Sequence, residues 1–181
     1  MSEGLKVPYS EAKQLADDLY MLLGDHFKRL EIAGSLRRKK VFVGDIELVG
    51  ILQPMQDAGL FGFNTISPIG AITNSMKTFG YKTEKAGEKY IKFVSSRKMN
   101  VDLFLCTPET WGCIFMIRTG SAEFSRRMMT KKSFRGWCPD SMQFCGGRLW
   151  WDGVALDTPE EEDVFREMGI PYMLPEEREL K

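Results

Sequence analysis

Two acidic side chains stand two positions apart inside an apolar segment of the sequence. Asp45 and Glu47 flank Ile46 within residues 41–52, where the apolar residues are β-branched and nearly continuous up to Pro54. This composition predicts a buried strand. Side chains two apart on a strand point to the same face, so the two carboxylates project together. Because adjacent carboxylates repel each other, we expect a cation beside them.

A third carboxylate occurs on a later predicted strand. Asp102 is surrounded by apolar neighbours within residues 100–106, where an unpaired charge is costly. Three carboxylates suit Mg²⁺, which takes hard oxygen ligands and is completed by substrate phosphates, and Mn²⁺ fits the same ligands. A pair of such ions activates a hydroxyl and steadies a leaving pyrophosphate. We therefore predict that Asp45, Glu47 and Asp102 are both the metal ligands and the catalytic residues of a site with two Mg²⁺ ions.

A candidate phosphate site precedes the carboxylates. Gly34 and Ser35 offer backbone N–H groups and a hydroxyl that can cradle a phosphate, and Arg38 is close enough in sequence to pair with triphosphate oxygens. Three plainer interpretations remain open: a simple turn at 34–35, an exposed edge strand carrying the acids, and a solvated basic run or weak nuclear signal at 37–40.

The remaining pattern predicts an α+β fold in two parts. Residues 1–106 form a mixed β-sheet with flanking helices, and residues 107–181 form a smaller α/β subdomain. The predicted helices are 12–23, 68–80 capped by Ser67, one opening at Thr107 and Pro108, one capped by Ser121, and 158–169 capped by Thr158. The predicted strands are 41–52, 90–95 and 100–106 joined by a turn around Arg97, and a hairpin of 142–145 with 149–151.

Composition restricts the functional class. The 181 residues carry no net charge, no membrane-spanning apolar stretch and no signal-peptide pattern, which indicates an intracellular, cytoplasmic protein and no membrane partner. The four cysteines match neither zinc-ligand nor disulfide-scaffold spacing and are interpreted as reduced thiols. Residues 118–135 are strongly basic and 157–179 strongly acidic, so one surface can bind phosphates while the tail stays solvated.

These motifs resemble those of the family X DNA polymerases. Gly34-Ser35, nine residues, then Asp45-Ile46-Glu47 is similar to the signature of the polymerase-β nucleotidyltransferase superfamily. The run from Gly34 to Arg38 resembles the family's Gly-Ser-Phe-Arg-Arg, and Thr119-Gly120-Ser121 resembles its Thr-Gly-Ser helix start. The tail, 161–179, resembles the end of the family's thumb. The resemblance covers about residues 30–180 and implies a nucleotidyltransferase palm followed by a thumb-like subdomain.

The resemblance implies transfer of a deoxynucleoside monophosphate from a dNTP to a primer 3′-hydroxyl, with gap filling or DNA repair as the setting and DNA primer-template or gapped DNA as the partner. It implies that Asp102 helps to deprotonate the primer hydroxyl. A monomer is expected. The implied nucleotide-binding residues are Gly34, Ser35, Arg38, Gly44, Arg118, Thr119, Gly120, Ser121 and Ser125. The implied nucleic-acid-binding residues are Lys98, Arg126, Arg127, Lys131 and Lys132.

The sequence departs from the family pattern at several positions. Arg118 replaces the aromatic residue before Thr-Gly-Ser, and Ser125 and Met129 replace an asparagine and an arginine on the nucleotide-binding helix. Asn100 replaces the basic residue two positions before the third carboxylate, with Lys98 nearby. About 30 residues precede the Gly-Ser motif, too few for the family's lyase domain. Weak checking of the new base pair and no lyase activity are therefore expected.

Two other functions remain as alternatives. One is template-independent nucleotidyl transfer, in which a tail or another acceptor is modified. The other is a non-catalytic nucleic-acid-binding module, which the presence of all three carboxylates disfavours.

Overall fold

A computed structural model describes residues 6–54, 67–96 and 98–180. The elements in chain order are β1 (Val7–Pro8), α1 (Tyr9–Leu23), β2 (Phe27–Ile32), α2 (Gly34–Arg37), β3 (Phe42–Val43), β4 (Asp45–Leu52), α3 (Pro68–Thr78), β5 (Lys82–Ala86), β6 (Tyr90–Val94), β7 (Asn100–Leu105), α4 (Trp111–Thr119), α5 (Ala122–Met129), β8 (Met142–Cys145), β9 (Arg148–Trp151), β10 (Val154–Leu156) and α6 (Glu161–Glu167). They fall into two compact units, Met1–Ile32 with Val41–Leu105 and Ala33–Lys40 with Cys106–Lys181. Residues 33–40, which the sequence analysis assigns to the first part, thus belong to the second unit.

The first unit is built on a five-stranded sheet of order β2-β4-β7-β6-β5. β4 and β7 pair in parallel, and the other neighbours pair antiparallel. This mixed sheet, with α1 and α3 in the same unit, confirms the predicted α+β class. The short strands β1 and β3 form a separate two-stranded ladder.

One face of this sheet forms the core of the first unit. Ile46 lies opposite Val101 and Leu48 opposite Leu103, and all four side chains are completely buried. Ile91 and Phe93 on β6 extend the same buried face, and α1 and α3 add buried residues at helical spacing. The alternation along β4 and β7 therefore sends the acidic positions to the opposite face.

The second unit packs α4, α5 and α6 with a three-stranded antiparallel sheet of order β10-β9-β8. Its core is apolar and sulfur-rich, and includes Cys113, Met116, Phe124, Met128, Leu149 and Phe165. A Cβ at Gly112 would lie 2.1 Å from the backbone oxygen of Glu160, so only glycine allows α4 to approach the start of α6 this closely.

Most predicted elements are confirmed, including α1, α3, β4, β6, β7 and β8. Ser67 caps α3 as predicted, because its hydroxyl accepts a hydrogen bond from Gly70 N at 3.1 Å. Strands β2, β5 and β10 were not predicted; each lies at the edge of its sheet. β2 and β5 carry polar residues, and β10 is only three residues long. The turn predicted around Arg97 lies outside the described residues.

The predicted cap of the last helix is wrong. The N-cap of α6 is Glu160 and not Thr158. The backbone N–H of Glu160 donates to Asp163 Oδ2 at 2.8 Å. Thr158 is instead buried, where its backbone N–H donates to Glu109 O at 2.9 Å and its carbonyl accepts from Gly112 N at 2.7 Å. Tertiary contacts with α4 thus displace the cap by two residues. Among the described residues, no helix has the length and apolar character to cross a membrane.

Candidate functional site

The three predicted metal ligands lie on one face of the five-stranded sheet. Glu47 on β4 is directly opposite Asp102 on β7, and Asp45 lies one pleat earlier, opposite Asn100. Because paired residues on neighbouring strands share a face, the three carboxylates project from the side away from the apolar core. All three side chains are partly exposed, so solvent and ligand can reach them.

The Asp102 carboxylate has a close partner in the sheet. The Tyr90 hydroxyl on β6 donates to Asp102 Oδ1 at 2.5 Å. Lys92, the residue directly opposite Asp102 on β6, forms an ion pair with Glu84 at 2.5 Å. The side chains of Tyr90, Lys92 and Asp102 are partly exposed. The Asp102 carboxylate is therefore held in place by a hydrogen bond as well as by its strand.

The donor set fits a hard divalent cation because it consists of three carboxylates on one sheet face. Within 6–54, 67–96 and 98–180, however, no three side chains of His, Cys, Asp or Glu are arranged to hold a metal ion. The register therefore brings the three positions to one face without converging their oxygens. Gly44, also predicted to contact nucleotide, is exposed immediately before β4.

In the second unit, the Gly34-Ser35 motif forms a tight turn that starts the single helical turn α2. Gly34 has a φ of +62°, a left-handed conformation that favours glycine. The hydroxyl of Ser35 is buried and has no hydrogen-bond partner among the residues that the structure describes. Since buried hydroxyls in folded proteins are nearly always satisfied, Ser35 stays a candidate ligand-binding residue.

The two arginines of this motif bind the Thr-Gly-Ser motif, 82 residues later in the chain. Arg37 Nη1 donates to Thr119 Oγ1 at 2.6 Å, and Arg38 Nη1 donates to the Thr119 carbonyl. Gly120 has a φ of +65°, and a Cβ there would lie 3.1 Å from Arg38 Nη1. The structure thus brings together two sets of residues that sequence analysis assigned separately to nucleotide binding.

A buried ionic network supports this arrangement. Glu161 on α6 accepts from Nη1 and Nη2 of Arg37 at 2.9 and 2.8 Å. It also accepts from Arg178 Nη1 at 2.6 Å and from the Tyr172 hydroxyl at 2.9 Å. Arg178 is completely buried and also donates to the Met173 carbonyl. Burial by itself raises the pKa of Glu161, but the hydrogen bonds from the two arginines outweigh it and hold the pKa below its usual value.

Arg38, the predicted triphosphate ligand, is paired with the C-terminal segment. Its Nε donates to Glu179 Oε1 at 2.6 Å, and Lys40 Nζ donates to Glu179 Oε2 at 3.0 Å. Lys39 forms a similar ion pair with Glu176 at 2.6 Å. Two carboxylates, Glu176 and Glu179, therefore pair with basic side chains that could otherwise bind phosphate oxygens.

The other predicted nucleotide-binding residues differ in their surroundings. Ser121 caps α5 by accepting from Phe124 N at 3.4 Å, and its hydroxyl donates to the Arg178 carbonyl at 2.7 Å. Ser125 is buried, and its hydroxyl donates to Ile117 O at 2.8 Å, so it faces the protein interior. Arg118 is exposed near the end of α4.

The predicted nucleic-acid-binding residues fall in both units. On α5, Arg126 and Arg127 share Glu123, and hydrogen bonds from the two arginines lower the pKa of Glu123 to about 2. Lys131 Nζ donates to Asp140 O at 3.0 Å, and Lys132 is exposed. Residues 122–135 carry five basic side chains against the single acid Glu123, so the segment keeps a net positive charge.

In the first unit, Lys98 lies apart from the carboxylate face. Its Nζ donates to Phe79 O at 2.7 Å and stands 3.7 Å from the centroid of the Phe79 ring. This side chain is therefore held against the end of α3, which gives it a structural role in the described arrangement.

Sequence reasoning did not identify the partners that organise these residues. Glu161 entered the sequence analysis within the capped last helix and the tail, Arg178 and Glu179 within the acidic, thumb-like tail, and Tyr90 as the start of a strand. Their roles depend on pairings over 12 to 141 residues of sequence, which periodicity cannot reveal.

Comparison with known proteins agrees with these observations. Residues 115–179 match the family model described as DNA polymerase beta thumb. The chain is 26% identical over 166 residues to DNA polymerase lambda of Rattus norvegicus, in an alignment that covers 81% of this chain and 28% of that relative. The chain thus spans less than a third of the length of the curated relative. The predicted resemblance to family X DNA polymerases is confirmed, over part of the length of such a protein.

Proposed function

We propose that this family X polymerase-like chain is a divalent-metal-dependent nucleotidyltransferase that adds a deoxynucleoside monophosphate to the 3′-hydroxyl of a DNA primer. The single observation that carries the proposal is the register of β4 and β7, which puts Asp45, Glu47 and Asp102 on one sheet face. Gapped or primer-template DNA is the proposed substrate, and gap filling during repair the proposed setting.

The carboxylates are proposed to hold two Mg²⁺ or Mn²⁺ ions. Such ions, when bound, lower the barrier to attack by the hydroxyl and neutralise the leaving pyrophosphate. This chain supplies the carboxylates from two neighbouring strands: Asp45 and Glu47 from β4, and Asp102 from β7. Asp102 is proposed to accept the proton of the primer hydroxyl, the role that the resemblance to the family X polymerases implies for it.

The second unit is proposed to bind the nucleotide and the DNA. Ser35 has a buried hydroxyl with no partner among the described residues, which supports a role as a phosphate ligand. Arg38 is proposed to exchange Glu179 for a phosphate oxygen, since both are anionic acceptors of the same guanidinium. The basic segment 122–135 is proposed to contact the DNA backbone, where each neutralised phosphate adds salt-dependent affinity.

Template-independent addition is the second candidate, and one observation favours it. Ser125 stands where family members carry an asparagine on the nucleotide-binding helix, and its hydroxyl donates to Ile117 O, in the protein interior. A weaker check of the new base pair is the expected consequence.

Single-nucleotide incorporation separates these candidates. The protein is incubated with Mg²⁺, one dNTP at a time, and a one-nucleotide-gapped duplex carrying each of the four template bases. Template-directed synthesis predicts preferential incorporation of the complementary nucleotide, whereas equal incorporation opposite every base would indicate template-independent transfer.

Matched variants test the carboxylates in the same assay. Asp45→Asn should abolish incorporation, because it removes a negative charge from the proposed metal site. Glu31→Gln is the control, since Glu31 is an exposed acid opposite Val49 on the same sheet face. Equal activity of the wild type and Asp45→Asn would refute the proposal, and so would the absence of incorporation by the wild type on any primer.

A further inference from the structure

The side chain of Tyr90 reaches across the sheet to the third carboxylate. Tyr90 lies opposite Phe104, one pleat away from the pair Lys92 and Asp102. Diagonal neighbours on one face of an antiparallel pair are within reach of aromatic and long side chains. The hydroxyl uses this reach to donate to Asp102 Oδ1 at 2.5 Å, within the range of O–H···O hydrogen bonds.

The ring of Tyr90 is held from two sides. It stacks on Phe104 with the ring centroids 5.1 Å apart and the planes inclined by 21°. Lys85 Nζ lies 5.3 Å from the centroid of the Tyr90 ring. Because these contacts fix the ring, they also fix the direction in which the hydroxyl donates.

The neighbouring cation does not take over this role. Lys92 is directly opposite Asp102, yet its ammonium pairs with Glu84 at 2.5 Å. Tyr90 is therefore a neutral donor that orients Asp102 without adding positive charge to the site. A cation in its place would compete with metal ions for the same carboxylate, whereas a hydroxyl leaves the negative charge intact.

We infer that Tyr90 is a positioning residue for Asp102: its hydroxyl binds Oδ1 and fixes the carboxylate rotamer, so that Oδ2 would serve as the metal ligand when a metal ion is bound. This inference rests on the proposed function, and it concerns a residue that acts through Asp102 without touching substrate. A partner that orients a metal ligand contributes about 10- to 100-fold to metal affinity or activity, which sets the size of the expected effect.

The test compares Tyr90→Phe, which removes the hydroxyl and keeps the stacked ring, with Tyr81→Phe. Tyr81 is a suitable control because its hydroxyl also makes a hydrogen bond in the same unit, to Met99 O at 3.0 Å. Three quantities are measured for each variant. The single-turnover rate and the nucleotide Kd are measured on gapped DNA in Mg²⁺, and the affinity of the nucleotide-free protein for Mn²⁺ is measured by electron paramagnetic resonance.

We expect Tyr90→Phe to lower the single-turnover rate, or to weaken Mn²⁺ binding, by about 10-fold or more with the nucleotide Kd within about twofold of wild type. Tyr81→Phe should leave the single-turnover rate, the nucleotide Kd and the Mn²⁺ affinity near wild type. A Tyr90→Phe protein with wild-type rate and Mn²⁺ affinity, or a faster one, overturns the inference. Equal losses in both variants also overturn it, because they indicate general destabilisation.

The outcomes distinguish this inference from the proposed function. If the wild type incorporates no nucleotide, the proposed function fails, and the Mn²⁺ affinities still decide whether Tyr90 positions Asp102. If the wild type is active and Tyr90→Phe matches it in both measurements, the proposed function stands and the inference alone fails.

Discussion

Replacing Glu161 by glutamine should strongly destabilise the second unit. The carboxylate is 2% exposed and balances Arg178, which is completely buried, together with Arg37. The neutral amide leaves the Arg178 charge in the interior without its counter-ion, and breaking a buried pair in this way costs about 3–5 kcal/mol. This is a large part of the roughly 5–15 kcal/mol by which a domain is usually stable.

Urea unfolding monitored by tryptophan fluorescence is the appropriate assay. The four tryptophans, Trp111, Trp137, Trp150 and Trp151, all belong to the second unit, so the signal reports on the part that contains Glu161. With a urea m-value of about 1–3 kcal/mol/M, a loss of about 4 kcal/mol lowers the midpoint by on the order of 2 M.

The control is Glu162→Gln, an exposed acid next to Glu161 on the same helix. Its free energy of unfolding should change by less than about 0.5 kcal/mol. A Glu161→Gln protein within about 1 kcal/mol of wild type at neutral pH, with an unchanged m-value, would refute the assignment of the network as a stabilising core of this unit.

The stability that Glu161 contributes should change with pH in a defined direction. The pKa of Glu161 in the folded state lies below its usual value, and the unfolded value is about 4.3. The stabilisation is therefore complete above the unfolded pKa and is lost as the pH falls through the folded pKa. The difference in stability between wild type and Glu161→Gln should shrink as the pH is lowered through this window, and a constant difference would contradict the explanation.

Three further predictions concern the second unit. Gly120→Ala should lower the free energy of unfolding, measured in urea, by about 1–2 kcal/mol. The φ of +65° is unfavourable for a residue with a side chain, and the new Cβ would lie 3.1 Å from Arg38 Nη1. An unchanged urea midpoint would show that the backbone relaxes freely. Glu179→Gln should tighten nucleotide binding several-fold by releasing Arg38, and a weaker Kd measured by calorimetry would show instead that Glu179 helps to orient this arginine. Glu123→Gln should raise the affinity for DNA at low salt, and Arg126→Ala should reduce the slope of log K against log salt by about 1. Salt titrations of both variants identical to that of the wild type would show that α5 is not part of the DNA-binding surface.

The sequence was sufficient where the signal is local. The alternation around Ile46 and the carboxylates predicted the strand, its buried face and the face of the acids, because side-chain period alone decides these features. The cap at Ser67 followed from the same kind of short-range chemistry. Edge strands such as β5 escaped prediction because their polar residues leave no hydrophobic alternation.

The rest depends on contacts between distant parts of the chain. The placement of Thr158 in the interior, 49 residues from Glu109, overrode a local capping signal. The pairing of Arg37 with Glu161 spans 124 residues, and no pattern of composition or spacing links the two. The acids and the Gly-Ser motif were enough to predict a resemblance to the family X DNA polymerases, whereas the residues that hold these motifs in place required the fold.

The most direct test of the central claim is anomalous diffraction from crystals of the protein grown with Mn²⁺, a non-hydrolysable dNTP analogue and gapped DNA. The account predicts manganese peaks coordinated by carboxylate oxygens of Asp45, Glu47 and Asp102. Manganese bound elsewhere, or bound without an oxygen from Asp102, would contradict it.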